Sequence, residues 1–352
     1  MRFGLALPHY DFSLPGRTPI GWGQLRDWAQ RAEELGFDSI WLSDHLFLDL
    51  SKYGGSDELQ GALECFTSLA ALAAVTRRVR VGTLVVCNEL RNPALVAKMA
   101  ATIDVLSGGR LEVGIGAGWY EREFRAAGVP FERPGKRLER LAEAVQIVRG
   151  MLSTSEYSFR GRHYRVEKAR NLPQPAQQPG PPVWVGGKGD AVVRLAARFA
   201  DGFNTVWAWT PEAYLDRVRL LEEAAEEAGR DPASIRRSVG LYALVGQDEM
   251  ELSSRWHRYL SANPWMPGGL SVQAWGLDKL CGTPQHIARR VDAFADAGVE
   301  EVILSFGLLP FQLADASSVE AFVRDVFPLV RTRSSEPEEA RQERQRVERR
   351  RQ

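Results

Sequence analysis

Short apolar runs alternate with longer segments whose apolar residues recur every three to four positions, and this rhythm continues to about residue 305. The runs have strand character and cover Phe3–Pro8, Phe37–Leu42, Val79–Val86, Leu111–Ile115, Val183–Val185, Gly202–Val206, Ser238–Val245 and Glu301–Ser305. Between them the pattern predicts helices over 24–35, 66–75, 93–106, 137–152, 191–200, 211–228 and one opened by Thr283-Pro284. In 137–152 the period is explicit, with Leu138, Leu141, Val145 and Val148 on one face. Pro93 suits a first helical turn, while Gly36 and Ser107-Gly-Gly109 suit helix ends.

Eight strands with helices between them predict one α/β domain, a (β/α)₈ TIM barrel. The alternative is a doubly wound open sheet, which usually needs fewer strands. Insertions after strands 4 and 7 break the rhythm. The first, 153–181, holds a hairpin over Phe159–Tyr164 and leads into the proline-rich Leu172–Pro182; the second spans about 246–282. The barrel domain is expected over 1–332. The remaining 333–352 is almost entirely Glu, Arg, Gln and Ser, too poor in apolar surface to bury a face. It is expected to be a solvated tail, disordered or loosely helical.

Composition adds mainly exclusions. Of 352 residues, 44% are hydrophobic and 26% charged, which is ordinary for a globular chain. Forty-five basic residues balance forty-five acidic ones, so no global field draws the chain to nucleic acid or an anionic membrane. Cys65, Cys87 and Cys281 form no close pair, which fits a reducing, cytoplasmic setting rather than a disulfide or zinc framework. The N-terminal apolar run is too short for a secretion leader, and no apolar run is long enough to span a membrane.

In such a barrel, chemistry gathers at the C-terminal ends of the strands. His9, after strand 1, could begin a metal site or line a pocket. Strands 5, 6 and 8 end without a His or Asp ligand, so no metal is expected. After strand 2, Ser43-Asp44-His45 offers an imidazole that can give or take a proton, with Asp44 beside it; the plainer reading is a turn capped by Asp44 with a solvated His45. After strand 3 come Asn88, Glu89 and Arg91, and Arg91 is either an anion ligand or, more commonly, a partner of Glu89. Strand 4 leaves through Gly114, Gly116 and Gly118, which allow a flat ligand or another backbone close approach. As a dinucleotide signature this turn fails, because Trp119 stands at the third glycine position. Strand 5 leaves through Gly186, Gly187, Lys188 and Gly189 into a helix, an anion-binding arrangement or simply a tight turn. Trp41, Trp119, Trp207, Trp209, Trp265 and Trp275 lie near strand ends or in the insertions, where they could build an aromatic pocket.

Several segments together resemble the luciferase-like monooxygenase superfamily, in particular its branch using the deazaflavin coenzyme F420. They are Phe3-Gly-Leu-Ala-Leu-Pro8, the run Ala32 to His45, Val81-Gly-Thr83, Arg91-Asn-Pro93, the run Ala101 to Trp119, Val185-Gly-Gly187, Ala200-Asp-Gly-Phe203 and Gly282-Thr-Pro284. The stretch from Asp104 to Trp119 is the most specific. The resemblance implies a barrel that moves a hydride between coenzyme F420 and a small organic substrate. A reduced-FMN monooxygenase using O₂ and a non-catalytic flavin-binding barrel are the alternatives. It implies His45, with Asp44, near the reactive edge of the ring. Leu84 and Val85 would back the ring, in some members through a cis peptide, and Gly187, Lys188 and Gly189 would hold the phosphate. His9, Asn88, Gly116, Trp119 and Gly186 would complete the cofactor contacts. Trp119 stands where the sugar-phosphate dehydrogenases of this family carry a catalytic glutamate, which argues against glucose 6-phosphate as substrate. A homodimer is compatible with this reading.

Overall fold

The computed structural model describes all residues except 17–18, 267–268 and 335–352, with side chains described as far as Val330. Eight parallel strands form a closed ring: β1 (Arg2–Ala6), β2 (Ser39–Leu42), β3 (Arg80–Thr83), β4 (Leu111–Gly116), β5 (Val183–Gly186), β6 (Gly202–Trp207), β7 (Arg236–Val245) and β8 (Glu301–Ser305). Pairing of Val113 with Val183 and of Ile115 with Val185 links the two halves. Phe3 against Val302 closes the circle, which excludes the open sheet. Each strand is covered inside and out, so it reads as a continuous apolar run rather than an alternation.

The helices lie outside the ring. They are α1 (Trp22–Leu35), α2 (Cys65–Val75), α3 (Pro93–Ser107), α4 (Pro134–Ser153), α5 (Asp190–Phe199), α6 (Pro211–Glu227), α7 (Pro284–Asp296) and α8 (Ala316–Asp325). Local chemistry sets their limits. Asn92, Thr210 and Thr283 each accept a backbone N–H at the start of a helix that has proline in its first turn. Gly36 and Gly108 end α1 and α3 in the left-handed conformation that glycine adopts without steric cost.

The expected third strand is divided. β3 stops at Thr83, the Leu84–Val85 peptide is cis, and a two-residue strand, Val86–Cys87, follows. The hairpin after α4 is wider than expected, pairing Tyr157–Arg160 with Arg165–Ala169. The insertion after β7 is more regular than it reads. It holds helices Glu249–Ser261 and Val272–Gly276 and a strand, Leu280–Gly282, that pairs with β7. After β2, residues 43–64 carry a small antiparallel pair, Phe47–Leu48 with Gln60–Gly61, too short to show a period. The tail expected at 333–352 lies outside the described residues, apart from the end of the helix Phe327–Ser334.

The N-terminal end of the barrel is closed by charge. Glu112 of β4 and Glu301 of β8 are fully buried. Arg2 reaches both, at 3.3 Å from Glu112 and 3.1 Å from Glu301, and Arg80 meets Glu112 at 2.5 Å. The Ser39 hydroxyl and the Trp41 indole N–H donate to Glu301. Burial, and then the neighbouring Glu112, push the Glu301 carboxyl up to about 7.

The folded chain therefore retains at Glu301 a proton that the unfolded chain releases at the ordinary carboxylate value. This contribution to stability is complete in acid and is lost as pH rises through about 7. The melting temperature of Glu301→Gln relative to wild type should accordingly climb between about pH 5 and about pH 8. Melting curves across that range check this, and a difference that stays constant with pH would refute it.

Candidate active site

A cavity of about 540 Å³ opens at the C-terminal end of the barrel. It is walled by the exits of β2 through β6, by Tyr10 beyond β1, and by Phe311 beyond β8. One side is aromatic. The Trp207 ring lies 5.5 Å from that of Tyr242 and 5.4 Å from that of Phe311. A cavity that sets aromatic walls against polar side chains suits a ligand with a ring system and polar substituents.

His45 lines the polar side. Its Nδ1 is 3.2 Å from Glu123, whose carboxylate is sealed from solvent and also accepts the Leu46 N–H at 2.5 Å. A carboxylate can only accept, so Nδ1 carries the proton and Nε2 is left for the cavity. Asp44 does other work. Its carboxylate accepts from Arg91 at 2.6 Å and from the Cys87 N–H at 3.0 Å, tying the exits of β2 and β3 together. Arg91 continues to Glu64 at 2.6 Å, and Glu89, its expected partner, pairs instead with Arg140.

The glycines of the β4 and β5 exits have a visible occupant. A Cβ on Gly116 would lie 2.7 Å from Val85 Cγ2, and one on Gly186 would lie 2.6 Å from Val85 Cγ1. The glycines admit the Val85 side chain, which forms one face of the cavity. The nearby Cys87 thiol is pushed up to about 12 by burial, so it stays protonated and unreactive at neutral pH.

The mouth is cationic. Lys52 and Lys188 both line it, and burial lowers the pKa of each, with the charge of Lys188 lowering Lys52 further. Lys52 Nζ sits 3.6 Å above the centre of the half-exposed Trp119 ring. Asp278 attracts Lys188 at longer range but is itself paired with Lys279. No side chain caps the first turn of α5, which begins directly after Gly189. An uncapped helix start beside two ammonium groups suits a phosphate. Among the described residues, no group of three or more His, Cys, Asp or Glu side chains could hold a metal ion. No helix there is long and apolar enough to cross a membrane.

Residues 1–301 match the model of the family described as luciferase-like monooxygenase. The chain belongs to the luciferase-like monooxygenase family. Over 226 residues it is 32% identical to the F420-dependent glucose-6-phosphate dehydrogenase of Amycolatopsis mediterranei (strain U-32), a match spanning 64% of this chain and 66% of that one. Over 347 residues it is 31% identical to the pyrimidine monooxygenase RutA of Escherichia coli (strain K12), spanning 88% of this chain and 85% of that one. In fold it is similar to a solved F420-dependent secondary alcohol dehydrogenase in complex with an F420–acetone adduct. The TM-score is 0.72 at 22% identity, over 94% and 98% of the two chains.

Within this luciferase-like barrel the residues expected at the site divide into two groups. Asp44, His45, Leu84, Val85, Gly116, Trp119, Gly186, Gly187 and Lys188 line the cavity. His9, Asn88 and Gly189 do not. His9 is fully buried behind Tyr10, the Asn88 amide turns to Glu89 and Tyr164, and Gly189 forms the N-cap of α5. The Gly187 N–H donates to Asn204 O and is not free for a ligand. Of the tryptophans, Trp119 and Trp207 reach the cavity, whereas Trp41 and Trp275 are core. The pattern did not reveal Tyr10, Ser43, Lys52 or Glu123. Glu123 reads as one charge among several on a short surface helix, and its partner lies 78 positions away.

Two stability measurements follow. Arg91→Met leaves Asp44 buried without its cation and should cost about 3–5 kcal/mol in urea unfolding; a cost below about 1 kcal/mol would show that Asp44 does not need Arg91. Gly186→Ala should cost about 1–3 kcal/mol, and Val85→Ala added to it should recover much of that loss. Additive effects would mean that Val85 is not what occupies the space above Gly186.

Proposed function

We propose that this protein is an oxidoreductase that moves a hydride between coenzyme F420 and a small organic substrate, with His45 as the proton-handling residue and Glu123 as its positioning partner. The observation that carries the reading is the His45–Glu123 pair on the wall of a cavity lined by aromatic rings and by Lys52 and Lys188. The deazaflavin supplies a carbon centre that accepts or gives the hydride when bound. Lys52 and Lys188 would hold its acidic side chain with the start of α5, while Leu84 and Val85 would support the ring. Neither lysine forms an ion pair among the described residues, and two such cations exceed what a single monophosphate requires. His45 Nε2 holds or releases the substrate proton, Glu123 fixes the tautomer, and the aromatic wall excludes water. The similarity to an F420-dependent dehydrogenase supports this reading, while the similarity to a pyrimidine monooxygenase keeps the reduced-FMN reaction as the outcome to test against. Trp119 at the mouth, in place of a carboxylate, argues against a sugar phosphate as substrate.

Equilibrium titration with F420 and with FMN at one ionic strength tests the cofactor. F420 should bind more tightly, and combined Lys52→Ala and Lys188→Ala should weaken F420 more than FMN. Equal or tighter FMN binding with substrate-dependent oxygen uptake would establish the monooxygenase reading instead. His45→Ala should lower turnover by roughly 10²–10⁴-fold while changing cofactor affinity far less. Glu123→Gln should lower kcat with little change in KM. Full turnover in His45→Ala would reduce His45 to a wall of the cavity.

A further inference from the structure

Tyr10, Ser43 and His9 form a chain of hydrogen bonds whose direction is fixed at its buried end. His9 Nδ1 lies 3.0 Å from Leu7 O, and a carbonyl only accepts, so Nδ1 carries the ring proton. Nε2 of the neutral ring is then bare, 3.0 Å from Ser43 Oγ, and the Ser43 hydroxyl donates to it. Ser43 has no second proton. Toward the Tyr10 hydroxyl, which it also meets, it can only accept, so Tyr10 donates. The ring is neutral because its complete burial pushes His9 down to about 4.

Ser43 and Tyr10 both line the cavity, and both have committed their only hydroxyl proton inward. What they offer a ligand is lone pairs. We propose that the Tyr10–Ser43 pair, locked by His9, is a substrate-orienting site that selects a ligand bearing an O–H or N–H donor, such as an alcohol or amine, over the matching carbonyl compound. A ketone placed there sets its oxygen against acceptors and leaves those buried groups unpaired, the arrangement by which polar sites reject an analogue lacking the donor. The Tyr10 ring is 6.4 Å from that of His45, so a hydroxyl held by this pair sits in the same chamber as the proposed proton-handling residue. The inference rests on the reading of that chamber as the substrate site. Tyr10 and Ser43 act here by orienting the ligand, since proton storage on the buried His9 is unfavourable at neutral pH.

Two measurements on the full-length protein test this. Nitrogen-15 NMR at neutral pH should show the fully buried His9 as the Nδ1–H tautomer with Nε2 unprotonated; an Nε2–H tautomer or an imidazolium would overturn the chain. Equilibrium binding of cyclohexanol and cyclohexanone should favour the alcohol by about five- to tenfold. Ser43→Ala frees the Tyr10 hydroxyl to donate into the cavity and should abolish or reverse the preference. A wild-type ratio of one, or no saturable binding of cyclohexanol, overturns the proposal. A ring N–H of the coenzyme has the same donor chemistry, so the titration is repeated with coenzyme bound. Preference that survives assigns the pair to substrate, and preference that disappears overturns that assignment. Failure to bind either coenzyme would refute the oxidoreductase reading while leaving the tautomer and the probe ratio unaffected.

Discussion

A carboxylate inside a close-packed barrel has no water to solvate it, and its burial costs several kcal/mol unless a cation or a set of donors is buried with it. This chain meets that condition at both ends. At the N-terminal end, Glu112 and Glu301 are matched by Arg2 and Arg80, with Ser39 and Trp41 supplying further donors. At the C-terminal end, Asp44 is matched by Arg91 and Glu123 faces His45. The first arrangement closes the barrel. The second holds the loops after β2 and β3 and the short helix Glu121–Ala126 that follows β4 at fixed distances, which gives the cavity its shape.

Most of the fold was legible because its cause is local. Apolar runs three to eight residues long, most followed by a 3.6-period segment with Pro or Gly at its ends, specify strand and helix without distant information. The legible part includes α4, with Leu141, Val145 and Val148 buried as their spacing implies. The helix Glu249–Ser261 was not legible. Its buried face is made of Arg255, Trp256 and Tyr259, and Arg255 is buried because Glu251, Asp315 and serines from α8 surround it. A hydrophobic pattern cannot register a face assembled by ion pairing.

The site was legible to the extent that the barrel geometry delivers it. Positions at strand exits converge by construction, so His45, Gly186 and Lys188 could be identified from their places in the rhythm. Glu123 and Lys52 come from segments outside that rhythm, and only three-dimensional packing brings them in. The glycines near β4 and β5 were read as places where a flat ligand or another backbone comes close, whereas the group that approaches Gly116 and Gly186 is the side chain of Val85, just past the end of β3. His9 occupied a promising position but is the inner end of a buried chain whose cavity-lining members, Tyr10 and Ser43, carried no signal of their own.

The cavity is built from two kinds of part. Ser43, His45, Val85, Gly116 and Gly186 stand on or directly beside barrel strands, where any movement disturbs the ring. Lys52, Trp119 and Glu123 stand on crossover segments that leave the ring and return to it. The crossovers can lengthen, shorten or change charge without altering the strand register. Parts fixed by the ring and parts fixed by the crossovers are therefore separable, and lineages sharing this barrel can change the crossovers while keeping the same floor to the cavity.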